Sequence, residues 1–213
     1  GPDTAAGLSA AGGIAVDSKG NVYIGDRDNY RVRKITRDGI ISTVAGDGTN
    51  RQYLVDVGDG GPATLAMLGS PSAIAIDAQD NLFISAGNRI RKVSPNGTIV
   101  TVAGNTTTYD ETDGIAALSS RIHSAYAIAV DVDGNLFIAE AQTRRVRKVT
   151  PDGIIRTFAG NSSYVMTDDS GPATASAMYT ATGLAVDRQG NLYISDGQNS
   201  RIRKVTPDGI ATT

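Results

Sequence analysis

Nucleophilic and zinc chemistry have almost no material in this chain, which has one histidine and no cysteine. Cys-His catalysis and multi-histidine zinc sites are therefore without their residues, and Ser-His catalysis has a single histidine to draw on. Charge recurs instead. Arg31, Arg33 and Lys34 are matched by Arg89, Arg91 and Lys92, by Arg145, Arg147 and Lys148, and by Arg201, Arg203 and Lys204. Repeated basic groups suit a polyanion. The formal net charge of −2 supplies no global field to hold one, so the expectation is no nucleic-acid partner. In the preferred reading the arginine stems cover apolar surface and their heads pair with Asp26, Glu140 and Asp196. Acidic groups also recur: Asp56 with Asp59, Asp110 with Glu111 and Asp113, and Asp168 with Asp169. Oxygen-rich turns hold Ca²⁺, which takes six or more ligands. This spacing matches no EF-hand, so no cofactor is expected and calcium is the alternative. His123 breaks the repeat symmetry in Arg121-Ile122-His123-Ser124. Asn96, Asn105 and Asn161 each open an N-x-[ST] sequon in a loop and are the candidates for glycosylation.

The segments that position these residues are written four times. Ile14-Ala15-Val16-Asp17 returns as Ile74 to Asp77, Ile128 to Asp131 and Leu184 to Asp187, at intervals of 60, 54 and 56 residues. A period of this size marks a repeat architecture. Each unit reads as four short β-phrases: one around Ala15, one around Tyr23, Phe83, Phe137 or Tyr193, one carrying the basic group, and one like Ile40 to Val44. Turn chemistry separates them. Gly20, Asp80, Gly134 and Gly190 stand where a tight hairpin wants a left-handed residue, and Asp38-Gly39, Asn96-Gly97, Asp152-Gly153 and Asp208-Gly209 give the strongest short hairpin signal. Pro95, Pro151 and Pro207 preset three of these turns. The prediction is all-β: a β-propeller of four-stranded antiparallel blades. Ala15, Ala75, Ala129 and Ala185 sit in the strand crowded against the axis, and the aromatics fill the gap where blades diverge. One domain over 1–213 is expected, with blades near 11–58, 72–110, 126–165 and 182–213. Blade two departs at Ser85-Ala86-Gly87, where the connection is shorter and the acidic residue is missing.

The pattern G-[IL]-A-V-D-x-x-G-N-[LVY]-[YF]-[IV]-x-[DE], followed by N-x-R-[IV]-R-K, resembles the NHL repeat, whose members are β-propellers and usually six-bladed. The Gly-Pro-Ala-Thr linkers at Gly61 to Thr64 and Gly171 to Thr174 look most like bacterial extracytoplasmic and teneurin-type members. The amidating lyases similar to this family use several metal-binding histidines, which this chain does not have. Calcium-dependent lactonase propellers need only carboxylates and Asn, but the positions nearest the axis here are Ile, Ala and Val. Some NHL propellers bind RNA on one face.

Gly1 to Ala6 aligns with Gly61 to Ala66, so the chain starts within an interblade linker. Three arrangements follow: a segment of a longer propeller, four blades that close alone, or several chains sharing a ring or fibre. No apolar run approaches the ~18 residues of a membrane span, and no direct membrane insertion is expected. The leading expectation is a non-catalytic, extracellular or periplasmic binding and structural scaffold, whose partners are proteins, glycans or copies of itself. A ligand-binding sensor propeller of a membrane protein, a metal-dependent hydrolase or lyase, and an RNA-binding module are the alternatives. Linkers vary most between units, which points partner contact to Arg51, Gln52, Tyr53, Tyr109, His123 and Tyr164.

Overall fold

The computed structural model describes residues 1–50, 58–104, 110–140, 142–163 and 171–213. Four antiparallel sheets follow one another along the chain. Blade one is β1 (Ala11–Val16), β2 (Val22–Asp26), β3 (Arg31–Ile35) and β4 (Ile41–Ala45). Blade two is β5 (Pro71–Ile76), β6 (Leu82–Ala86), β7 (Arg89–Val93) and β8 (Ile99–Ala103). Blade three contains β9 (Ile115–Ala116), β10 (Ala125–Val130), β11 (Leu136–Glu140), β12 (Arg145–Val149) and β13 (Ile154–Ala159). Blade four contains β14 (Gly171–Pro172), β15 (Ala181–Val186), β16 (Leu192–Asp196), β17 (Arg201–Val205) and β18 (Ile210–Thr212). The shortened connection of blade two is a Gly87-Asn88 turn between β6 and β7.

The first hairpin of every blade is closed by the Asp that ends the repeated phrase. Asp17 Oδ1 accepts the Lys19 and Asn21 backbone N–H groups at 3.0 and 2.8 Å, and Oδ2 accepts the Asn21 amide at 2.7 Å. Asp77, Asp131 and Asp187 repeat the arrangement with Asn81, Asn135 and Asn191. The position before each Asn is left-handed throughout: φ is +79° at Gly20 and +60° at Asp80. Asp80 tolerates that conformation because it is one of the few side chains that visit it. Its carboxylate accepts the Ser18 N–H and hydroxyl of the neighbouring blade at 2.8 and 2.7 Å.

These turns make stability acid-sensitive. Burial pushes the Asp17 carboxyl up, but the Asn21 amide and N–H, the Lys19 N–H and the Tyr23 hydroxyl outweigh it and hold it at about 2, below the ordinary 3.8. The Asn191 amide likewise lowers Asp187. A carboxyl depressed in the folded state contributes stability that is present above its unfolded pKa and is lost as pH falls through the folded value. Chemical-denaturation midpoints should therefore hold down to about pH 4 and fall steadily towards pH 2. Asp17→Asn should flatten part of that slope; an unchanged slope would remove Asp17 from the account.

The stretch ahead of each blade adds to the outer strand of that same blade, which the sequence did not reveal. β9 pairs with β13 and β14 with β18, and single bridges join Pro2 to Ile40 and Pro62 to Thr98. Asp3, Ala63, Ala117 and Ala173 donate their N–H groups to the carbonyls of Gly39, Gly97, Gly153 and Gly209. An outer strand otherwise shows a row of unpaired backbone groups.

The chain falls into two compact units, Gly1–Thr106 and Thr107–Thr213, each with two blades. In the first, Val32 and Ala45 of blade one pack with Ala63, Ala66, Leu68, Ile74 and Ile84, and Tyr23 lies against the cluster. In the second, Phe137, Val146 and Ala159 pack with Ala173, Met178, Ala181 and Ile194. Ala15, Ala75, Ala129 and Ala185 each oppose the aromatic of the second strand across the hairpin. A small residue there leaves room for the ring.

Candidate functional site

An arginine stands at the centre of each third strand, half-buried in blade one and buried in the other three. Arg33, Arg91, Arg147 and Arg203 pair in register with Ile24, Ile84, Ile138 and Ile194. The residue two further along the second strand shares their face, since side chains alternate with period two. That residue is Asp26, Ala86, Glu140 or Asp196. Arg33 lies 3.8 Å from Asp26, Arg147 4.0 Å from Glu140, and Arg203 Nε 3.1 Å from Asp196. The three carboxylates expected as partners thus pair with the basic set. In blade two, where Ala86 replaces the acid, Arg91 Nη2 takes Asp59 at 2.6 Å and Nη1 donates to the Met67 carbonyl at 3.1 Å. Arg147 adds Asp113 at 3.0 Å. Burial pushes both the Arg91 and Arg147 guanidinium groups below the ordinary value, opposed by Asp59 and Glu140 respectively.

Asp59 and Asp113 are therefore occupied by arginine. The signal for this role was positional: each stands four residues ahead of the alanine, Ala63 or Ala117, that bonds the outer turn. Glu111 Oε1 lies 2.5 Å from His123 Nε2, and its Oε2 lies 2.6 Å from Arg145 Nη2. Burial raises the Glu111 carboxyl, but His123 and Arg145 outweigh it and hold it below the usual range. The His123 N–H also donates to Glu140 at 2.9 Å. The histidine that broke the repeat thus joins the linker to the charged centre of blade three. Among the described residues no group of three or more His, Asp or Glu is arranged around a metal position.

Asn96 is exposed in the β7–β8 turn, its side-chain oxygen accepting the Thr98 N–H at 3.1 Å. Asn161 is also exposed, and its amide donates to the Ala175 carbonyl at 2.8 Å. Asn105, Arg51, Gln52, Tyr53, Tyr109 and Tyr164 lie outside the described residues, as do Asp56, Asp168 and Asp169.

Two blade faces remain apolar and open. Ile74 on β5 is 6% exposed, whereas its counterpart Ile14 on β1 is 64% exposed and Val16 beside it 57%. Val146 on β12 is fully buried, whereas its counterpart Ile202 on β17 is 58% exposed. Within a unit the third-strand face of one blade meets the first-strand face of the next, as Val32 and Ile74 do. Ile14 and Ile202 mark the two complementary halves of that contact.

The repeats match known families. The NHL repeat model covers residues 8–35 and the Teneurin NHL domain model residues 52–113. Human Teneurin-1 is 30% identical over 223 residues, covering 94% of this chain. The chain belongs to the NHL-repeat family. It spans 8% of the length of that relative. Solved structures share the blade architecture of this NHL-repeat chain. Virginiamycin B lyase from Staphylococcus aureus aligns with a TM-score of 0.60 and 19% identity, over 95% of this chain and 54% of the lyase. An auxiliary nutrient binding protein from Bacteroides ovatus aligns with a TM-score of 0.67 and 17% identity, over 92% of this chain and 48% of that one. These likenesses establish the β-propeller fold of the NHL blades and carry no activity with them.

Proposed function

We propose that this NHL-repeat chain is a non-catalytic binding and structural module of an extracellular or periplasmic protein, and that it associates through its open blade faces. The observation that carries the reading is the contrast between Ile14 and Ile74, and between Ile202 and Val146. Apolar residues that are buried wherever a neighbouring blade covers them call for the same cover at Ile14 and Ile202, from a further blade of the same protein or from a second copy. The covering partner is another NHL blade, which a second copy supplies in purified protein. The reading is also supported by the arginines and acids of the repeat, which hold one another and leave no convergent catalytic group among the described residues. The teneurin likeness and the loop sequons favour the extracellular setting, with Asn96 the exposed acceptor whose side-chain nitrogen has no bond among the described residues.

Sedimentation velocity tests the association. The contact is head-to-tail, so copies joined by it close into a ring or extend as a fibre. Wild-type chains should grow with concentration, and Ile14→Asp or Ile202→Asp should each stop growth. Mixing the two variants should give dimers only, because one intact half remains on each. A wild-type chain that stays monomeric at every concentration, or variants that associate like wild type, would overturn the reading.

A further inference from the structure

The second unit has a cleft of about 430 Å³ between blades three and four, lined by Lys148, Arg156, Phe158, Pro172, Thr174 and Pro207, with Asp208 on the blade-four side. Here the repeat loses its symmetry. Arg156 and Phe158 on β13 stand where β4 has Ser42 and Val44 and where β8 has Val100 and Val102. Lys148 and Arg156 are direct cross-strand partners, so two cations share one face. Like charges placed opposite each other oppose the sheet unless an anion lies between them.

Among the described residues, the carboxylates around that charge stand beyond ion-pair distance. In blade one the matching Lys34 lies 3.7 Å from Asp17, whose Oδ2 also accepts the Tyr23 hydroxyl at 3.2 Å. Blade three has Phe137 in place of the tyrosine, and Lys148 rests over the Phe137 and Phe158 rings at 5.5 and 5.6 Å. No ion pair among the described residues includes Lys148 or Arg156. The exposed Asp152 feels the Arg156 charge only as the weakest of its influences. Phe158 packs edge-on to Phe137 with centroids 5.0 Å apart, and with Pro172 and Pro207 it gives the cleft apolar walls.

We propose that this cleft binds an acidic sugar residue, a pyranose carrying one carboxylate or sulfate. The anion lies between Lys148 and Arg156. The apolar C–H face of the ring rests on Phe158 and the prolines, and its hydroxyls meet Thr174 and Asp208. Asp208 favours this ligand over an acidic peptide: its carboxylate accepts bonds from sugar hydroxyls, which an acidic side chain does not offer. The assignment rests on reading the chain as a binding module and names one ligand class for it.

Amide NMR titration with methyl glucuronide tests the site, with methyl glucoside and a blocked aspartate as comparison probes. Arg156→Ser and Phe158→Val install the residues that blade one holds at the same positions, so both suit the fold, which their spectra verify. The expected result is saturable shifts around Lys148, Arg156 and Gly209, with binding about tenfold weaker for the glucoside and for Arg156→Ser. Phe158→Val should weaken both sugars. Absence of saturation, equal affinity for glucuronide and glucoside, an unaffected Arg156→Ser, or tighter binding of the blocked aspartate would each overturn the assignment. A chain that self-associates through Ile14 and Ile202 yet ignores glucuronide keeps the module reading and loses this site.

Discussion

Asp196→Ala is expected to lower the free energy of unfolding by about 3–5 kcal/mol, seen as a lower urea midpoint at unchanged slope. Asp196 is fully buried at the end of β16 and accepts from Arg203 Nε at 3.1 Å, the Tyr179 N–H at 3.1 Å and the Asn199 amide at 2.8 Å. Arg203 is itself buried and donates to the Ala177 carbonyl at 2.8 Å. Removing the carboxylate takes a buried counter-charge from the Arg203 guanidinium and orphans the Tyr179 N–H and the Asn199 amide. Part of the loss comes from the weaker compensation of that buried charge, so adding Arg203→Met should recover some of it. Asp59→Ala in blade two should cost less, because Asp59 is half exposed, so water takes the place of its carboxylate, whereas Asp196 is fully buried. A double variant no more stable than Asp196→Ala alone would show that the Arg203 charge contributes nothing to the cost.

The contrast between Asp196 and Asp59 also marks what the sequence could disclose. Asp26, Glu140 and Asp196 were legible as arginine partners because strand alternation fixes which residues share a face, and the pattern recurs at each repeat. The hairpins were legible for the same local reason: Asp17 and Asn21 are four residues apart, and Gly20 and Asp80 occupy the left-handed position predicted for them. Asp59 and Asp113 were read as acidic turns without an arginine partner named, because their arginines lie 32 and 34 residues further on. Only the outer-strand pairing of the linkers brings them together, and two-residue strands such as β9 and β14 have no periodicity to detect. His123 was visible as a break in the repeat, but its link to Glu111 depends on that linker path. Arg156 and Phe158 passed unnoticed because both suit an outer strand as well as Ser42 and Val44 do. Their meaning appears only when the lysine opposite them and the linker of the next blade close a cleft around them.

Gly104→Ala should leave little folded protein, a loss of about 4 kcal/mol or more. Gly153→Ala should cost only about 1–2 kcal/mol. Both glycines are left-handed, with φ of +96° and +81°, so the backbone penalty of a side chain is shared. Their surroundings differ. A Cβ on Gly153 meets nothing within 4 Å, whereas on Gly104 it would lie 2.1 Å from the Asn88 carbonyl oxygen and 2.8 Å from the Arg89 Cα. Those atoms belong to the backbone entering β7 and cannot rotate aside as a side chain would. The Ala-Gly that ends the outer strand repeats the constraint. Gly46 would meet the Tyr30 carbonyl and Gly160 the Arg144 carbonyl, each at 2.2 Å. Gly46 and Gly160 also donate their N–H groups to Ala63 and Ala173 at 2.9 Å, tying the fourth strand to the linker of the next blade. The glycine thus lets the outer strand pass close under the start of the third strand at the point where one blade is fastened to the next. Soluble yield and urea midpoints of the two variants decide the matter. If Gly104→Ala folds with the midpoint of Gly153→Ala, left-handed backbone alone explains the glycine, and the close approach sets no limit on the blade.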